Sequence, residues 1–290
     1  MKYKSKFLFK VLIILVLSTI LFSPLIHGFS VSPLKIQKIV KPGATISDYI
    51  LVEGGNKAQQ IKIYCNDWYM NADGKAIFVE TESKKVQRSC IPWITSIVPQ
   101  QFTIQPDQTR IVKLTIKVPK KWTNSKSTAG LYHGMIFTES APAPIKTDDK
   151  KVNGRIVRLK AKLRFGTNIE VLVNNNLNQK GIVSDLKVSG DNKSLELYTS
   201  FKNTGNVKLQ FSGYVDLRNE NGKSIEKKTI SKQKVIPDNL RKVKTSFENS
   251  LNPGQYSILS VIDYGGKNLV AGEQVFKIKK DGKIVTSIWE

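Results

Sequence analysis

From about residue 30 onward, apolar and polar positions alternate along the chain, and helical periodicity is nearly absent. Ile61, Ile63 and Cys65 fall on one face of a strand, with Lys62, Tyr64 and Asn66 on the other. Val112, Leu114, Ile116 and Val118 repeat the pattern, as do Leu195, Leu197, Thr199 and Phe201, and then Val207, Leu209, Phe211 and Val215. Turn signals separate these runs, among them Lys41-Pro42-Gly43, Gly54-Gly55-Asn56, Asn203-Thr204-Gly205-Asn206, Asn219-Glu220-Asn221-Gly222 and Asn252-Pro253-Gly254. Short strands with turns at this spacing predict an all-β protein of antiparallel sandwiches.

Two polar stretches interrupt the alternation. Ser140 to Asn153 combines Pro, Asp and Lys with a single isoleucine and reads as a mobile loop. Asn174 to Gln179 (NNNLNQ) reads as a hinge. The predicted organisation is an export segment over 1–30, one sandwich domain over 31–173, a second over 174–280, and a polar tail over 281–290. Tyr256, just after the Pro253-Gly254 turn, suits either a tyrosine that bonds back across the corner of an immunoglobulin-like sandwich or a plain core tyrosine.

The N-terminus changes the picture of where this chain works. Lys2, Lys4, Lys6 and Lys10 precede an apolar run from Val11 to Phe22, which Pro24 closes. That run is shorter than the roughly 20 residues of a membrane-spanning helix, so a cleaved secretory signal is expected, with an uncleaved N-terminal anchor as the alternative. The small residues Gly28 and Ser30 are the two candidates to precede the cut. The mature protein is then expected outside the cytoplasm, with no stable membrane insertion.

Charge and chemistry narrow the function further. The 290 residues carry 46 Lys+Arg against 23 Asp+Glu, a formal charge of +23. The basic residues are spread along the chain without an arginine-rich arm, which points away from nucleic acid. Beyond the export segment the only histidine is His133, so no His-rich metal site and no metalloprotease motif can be assembled. No Gly-x-Ser-x-Gly elbow accompanies it, and Gly222-Lys223-Ser224 lacks the earlier glycine of a phosphate loop, where Leu217 stands. The chain is therefore read as a non-enzyme without metal or cofactor. Cys65 and Cys90 are its only cysteines; an oxidising compartment favours a disulfide between them, with two buried thiols as the alternative.

The segment Arg155 to Phe165 is read as one strand. Val157, Leu159, Ala161, Leu163 and Phe165 share one parity, and Arg158, Lys160, Lys162 and Arg164 the other. Such a strand suits a charged edge that blocks unwanted pairing, or an edge offered to a partner that adds its own strand.

Several motifs resemble the periplasmic pilus-assembly chaperones. These are Phe29-Ser30-Val31-Ser32-Pro33, Lys41-Pro42-Gly43, Pro92-Trp93-Ile94, the run P-x-x-F-x-I-x-P-x-Q-T-R-x-V from Pro99 to Val112, Gly130-Leu131-Tyr132 and Phe137-Thr138-Glu139. Parts of the run are shared by surface proteins of Gram-positive bacteria. The resemblance covers about half of the mature chain and implies two immunoglobulin-like domains. It also implies a strand, here Val157, Leu159, Ala161 and Leu163, lent to a pilus or surface-fibre subunit, and passage of that subunit to an outer-membrane usher. The family's lysine for the subunit's terminal carboxylate falls on Lys162, and its arginine partner on Gln37, so Lys35 becomes the substitute candidate. The alternative function is a non-enzymatic envelope protein that contacts cell-wall polymer or surface proteins.

Overall fold

A computed structural model describes residues 28–81, 85–121, 129–144, 151–152, 155–156, 160–248, 250–265 and 269–286. The export segment up to residue 27, and Val157 and Leu159 of the expected lending strand, lie outside the described residues.

The strands of 30–173 build one sandwich. Its first sheet runs in the order Ser30–Ser32, Thr45–Glu53, Thr109–Lys117, Ile94–Val98. The facing sheet runs Lys35–Val40, Arg164–Val173, Gly130–Ser140, Gln59–Met70, Ala76–Val79, and Gln101–Ile104 also pairs with Gln59–Met70. Every pair is antiparallel except Lys35–Val40 on Arg164–Val173, which is parallel. The alternation explains the core. Val112, Leu114, Ile116 and Val118 point inward from one sheet, and Ile61, Ile63, Ile136 and Ile169 from the other, in a single buried cluster. Each such side chain contributes about 1.5–3 kcal/mol on burial, and a one-residue slip would turn a whole row to solvent, so register is firmly set.

The strands of 181–286 build a second sandwich with its own cluster. A three-stranded sheet (Gly181–Gly190, Leu195–Asn203, Leu240–Phe247) faces a five-stranded one. The latter runs Ser224–Val235, Leu209–Asn219, Gly254–Asp263, Leu269–Ile278, Ile284–Thr286. Phe201 and Phe211 meet across it with ring centroids 4.5 Å apart. Two tandem immunoglobulin-like sandwiches are thus the architecture: the alternation implied the sandwiches, and the resemblance implied their number and type. No helix among the described residues is long and apolar enough to cross a membrane.

Local details follow the turn chemistry. Gly43 and Gly222 hold φ of 83° and 74°, the left-handed region that glycine enters without steric cost. The Tyr256 hydroxyl donates to the Asn252 carbonyl at 2.9 Å, so the tyrosine does bond back across its corner. Between the sandwiches, the exposed Asn174–Gln179 stretch is tied to the second by Asn206, whose side-chain oxygen accepts from Asn178 N at 2.7 Å and whose amide donates to Asn176 O at 3.0 Å.

The segment read as a polar tail holds a short strand: Ile284–Thr286 pairs with Phe276–Ile278 at the sheet edge, and Ile284 packs against the second core. The polar stretch after Ser140 is strand-paired where it is described, Ala143–Pro144 on Lys160–Ala161 and Lys151–Val152 on Arg155–Ile156. The first of these pairs continues the hairpin whose arms are Gly130–Ser140 and Arg164–Val173.

Asn203 is fully buried and knits the second sandwich. Its amide donates to Val207 O and Val235 O at 2.8 and 3.2 Å, and its side-chain oxygen accepts from Gly205 N at 3.0 Å. Asn203→Ala leaves buried backbone groups unpaired and is expected to cost about 2–3 kcal/mol in denaturant unfolding, whereas an exposed change such as Lys202→Ala should cost under about 0.5 kcal/mol.

Candidate functional site

The expected lending strand is not one continuous element. Its described parts are Arg155–Ile156, Lys160–Ala161 and the start of Arg164–Val173. Lys160 to Thr167 forms one arm of the long hairpin. Ala161 pairs with Ala143, Ser140 N donates to Leu163 O at 2.9 Å, and Arg164 to Thr167 pair with Glu139 to Ile136. The opposite edge of this arm carries no strand among the described residues, because the parallel partner begins only at Lys35, opposite Asn168.

The side chains of that arm form a graded apolar row. Phe165 packs against the first core, its ring edge-on to Phe29 at 5.0 Å. Leu163, two residues nearer the hairpin tip, is 44% exposed, and Ala161 is exposed. The core's own row thus runs out into solvent along an unpaired edge.

The other parity is cationic and partly neutralised. Lys162 Nζ donates to Glu139 Oε1 at 2.8 Å, and Tyr64 Oη donates to Glu139 Oε2 at 3.0 Å. The Arg164 guanidinium lies 4.7 Å from the Phe137 ring centroid. The hydrogen bond from Lys162, with help from Tyr64, holds the Glu139 carboxyl below the usual carboxylate range. Glu139 therefore fixes the cationic side of the arm while the apolar side stays open.

The two anchor candidates do not converge. Lys162 is held at Glu139, whereas Lys35 Nζ lies 3.3 Å from Glu170. Lys35 stands opposite Asn168 in the parallel register, six residues beyond Lys162, which is about 20 Å at 3.3 Å per residue. The two lysines are thus held at different carboxylates at separate places along the strand.

What occupies the cleft between the sandwiches is Glu170 itself, 6% exposed. Its oxygens accept from Gln37 Nε2 at 2.7 Å, Lys208 Nζ at 2.7 and 2.9 Å, and Asn168 Nδ2 at 3.2 Å. Burial pushes this carboxyl up, but the Lys208 ammonium, Lys35 and the Gln37 amide outweigh burial and hold it below the usual range. Around it lies a cavity of about 370 Å³, with Ile39, 71% exposed, Leu172 and Val207 among its apolar lining. Glu170 and Lys208 were missed in the sequence; the available signal was a lone acid inside the apolar run Ile169 to Val173.

Around this ion pair the sandwiches are joined firmly. Trp68, Leu131 and Ile236 form a small buried cluster between them. Leu131 N donates to Asn206 O at 2.7 Å, Lys242 N to Ala72 O at 2.7 Å, and Arg88 Nε to Asp238 Oδ2 at 2.7 Å.

The remaining candidates are structural. His133 is buried, with Nε2 2.9 Å from the Trp68 carbonyl and its ring edge-on to Trp68 at 4.6 Å. Its Nε2–H donates to that carbonyl, and burial lowers its pKa. Cys65 and Cys90 stand as two thiols rather than as the favoured disulfide, packed in the first core. Burial, with the negative Asp67 nearby, pushes the Cys65 thiol up to about 11 and the Cys90 thiol higher still, so neither offers a reactive thiolate. Among the described residues no cluster of metal-ligating side chains exists.

No protein-family model matches the chain, and no curated protein matches it. Its structure is similar to solved structures of fimbrial chaperones over most of its length. One is a chain of the chaperone–tip adhesin complex of CFA/I fimbriae biogenesis, with 16% identity, 86% of this chain and 98% of that chain covered, and a TM-score of 0.43. Another is the YadV chaperone, with 14% identity, 86% and 100% covered, and a TM-score of 0.37. A third is a chain of the Salmonella enterica SafA pilin–SafB chaperone complex, with 10% identity, 85% and 96% covered, and a TM-score of 0.33. The double sandwich itself rests on the strand pairing described above.

Two measurements probe this region. Unfolding takes up a proton at His133 that the folded state disfavours, so stability should fall as pH drops below about 6.5; urea titrations from pH 7.5 to 5.5 should show this limb in the wild type and lose it in His133→Gln. A double-mutant cycle of Glu170→Ala with Lys208→Ala should give a coupling of about 1–2 kcal/mol, intermediate between exposed and fully buried pairs; a coupling near zero would show that the ion pair does not join the sandwiches.

Proposed function

We propose that this protein is an extracytoplasmic, periplasmic chaperone that holds incomplete β-sandwich subunits of a pilus or surface fibre by lending them an edge strand. The observation that carries this reading is the arm Lys160 to Thr167, an edge without a strand partner among the described residues whose apolar row leads from Phe165 in the core out through Leu163 and Ala161. A subunit missing one strand would gain backbone hydrogen bonds along that edge. It would also place the apolar row in its own open core, with Val157 and Leu159 continuing the parity towards the hairpin tip.

The basic parity supports the same reading. Lys162 and Arg164 are each about half exposed, so the arm resists pairing with another copy of itself while attracting a less basic partner. The saturated Glu170 leaves edge pairing rather than a lysine–arginine anchor to supply the affinity. Transfer of the subunit to an outer-membrane usher belongs to this proposal, as does the absence of catalysis. The segments 31–173 and 174–280 would then be its two working domains, and residues 1–30 the signal that exports it.

The test uses tagged full-length chain recovered from the exported fraction of its native host. Wild type should bring down small β-sandwich subunits, identified by mass spectrometry. Leu163→Asp should reduce that recovery at least about tenfold while leaving the unfolding midpoint nearly unchanged, because Leu163 is already half in solvent. Undiminished recovery would contradict strand lending. Loss of all bound protein at moderate salt, with sedimentation on peptidoglycan instead, would favour an envelope-binding role.

A further inference from the structure

The sequence leaves two small residues, Gly28 and Ser30, as candidates to precede the processing cut; a cut after Ser30 has small residues at both positions of an A-x-A-like site, Gly28 and Ser30, whereas a cut after Gly28 has Ile26 at the first of them. The fold separates them. Phe29 lies between the two and is only 2% exposed. It belongs to the first core and meets the Phe165 ring edge-on at 5.0 Å. Ser30 is already strand, opposite Glu53, with its hydroxyl donating to Glu53 Oε2 at 3.0 Å. A cut after Ser30 would remove Phe29 from the core, uncover Phe165, and shorten a three-residue strand. Of the described residues, a cut after Gly28 removes only Gly28, which belongs to neither a strand nor the core cluster.

Gly28 has a second consequence. It is packed so closely on Leu163 that a Cβ there would run into Leu163 Cδ1. Gly28 therefore lies beside the open arm, at the residue where the apolar row enters solvent.

We propose that processing hydrolyses the Gly28–Phe29 peptide bond, which makes Phe29 the N-terminal residue of the working protein and removes Gly28 from beside Leu163. Water adds its hydroxyl to the Gly28 carbonyl carbon and a proton to the Phe29 nitrogen, releasing residues 1–28 with a new carboxylate and leaving an α-ammonium on Phe29. The inference rests on the export reading and not on strand lending: a Leu163→Asp variant that still recovers subunits would sink the lending and leave this terminus as it is.

The experiment is intact mass and N-terminal sequencing of the full 290-residue chain, carrying a C-terminal tag and recovered outside the cytoplasm of a secreting bacterium. The expected terminus is Phe29. A chain beginning at Val31, at any other residue, or at an uncut Met1 overturns the proposal. A second measurement compares two chains made directly, one starting at Phe29 and one at Val31. The shorter should melt lower by roughly 10 °C, since it lacks a buried aromatic side chain. Equal melting temperatures would overturn the argument that the core requires Phe29.

Discussion

The interaction on which the structure turns is the parallel docking of Lys35–Val40 onto Arg164–Val173, and above all the place where it starts. Residues Ser30–Ser32 belong to the opposite sheet, and the chain crosses the sandwich through Pro33 and Leu34 before pairing begins at Lys35 opposite Asn168. Pro33 has no N–H to give to a ladder, which suits the crossing point. Thr167 Oγ1 donates to Pro33 O at 3.0 Å and Asn168 N to Leu34 O at 2.9 Å, and these bonds fix where the covered part of the strand ends. One long strand is thereby divided into a half buried in its own sheet and a half with a free margin. A first strand that stayed in one sheet would cover the whole edge and leave nothing to lend.

That division sets the roles of the neighbouring residues. On the covered half, Glu170 faces the cleft and binds Lys208 of the second sandwich, so the strand whose other half has a free margin also joins the two sandwiches through its buried half. On the free half, Glu139 orders the cations of one parity and leaves the apolar parity exposed. Rigidity and openness thus occupy adjacent stretches of the same backbone, and a rigid support lowers the ordering cost of any strand that pairs with the open stretch.

Much of this was legible in the sequence, for a physical reason. Strand side chains alternate faces, so rows such as Val112 to Val118 and Leu195 to Phe201 declare their buried side without any long-range information. Turn residues announced the hairpins, and Tyr256 announced its corner. The illegible parts are those that depend on backbone pairing or on residues distant in sequence. Alternation from Arg155 to Phe165 could not reveal that the described strand is broken. Glu170 and Lys208 are 38 residues apart and belong to different sandwiches, so no local period connects them. Ile284 to Thr286 looked like a tail because three residues are too few to show a period, yet Ile284 finds the second core.

The central claim, that the margin of Lys160 to Thr167 is open for a foreign strand, is most directly tested by hydrogen–deuterium exchange on the chain alone and on the same chain carrying a subunit recovered from its host. The account predicts that those backbone amides of 160–167 that face the open margin, and not the partner arm, exchange quickly in the free protein and become protected on loading, while those of 168–173, already paired on both sides, change little. Slow exchange of the margin-facing amides in the free protein, or protection on loading confined to other surfaces, would contradict it.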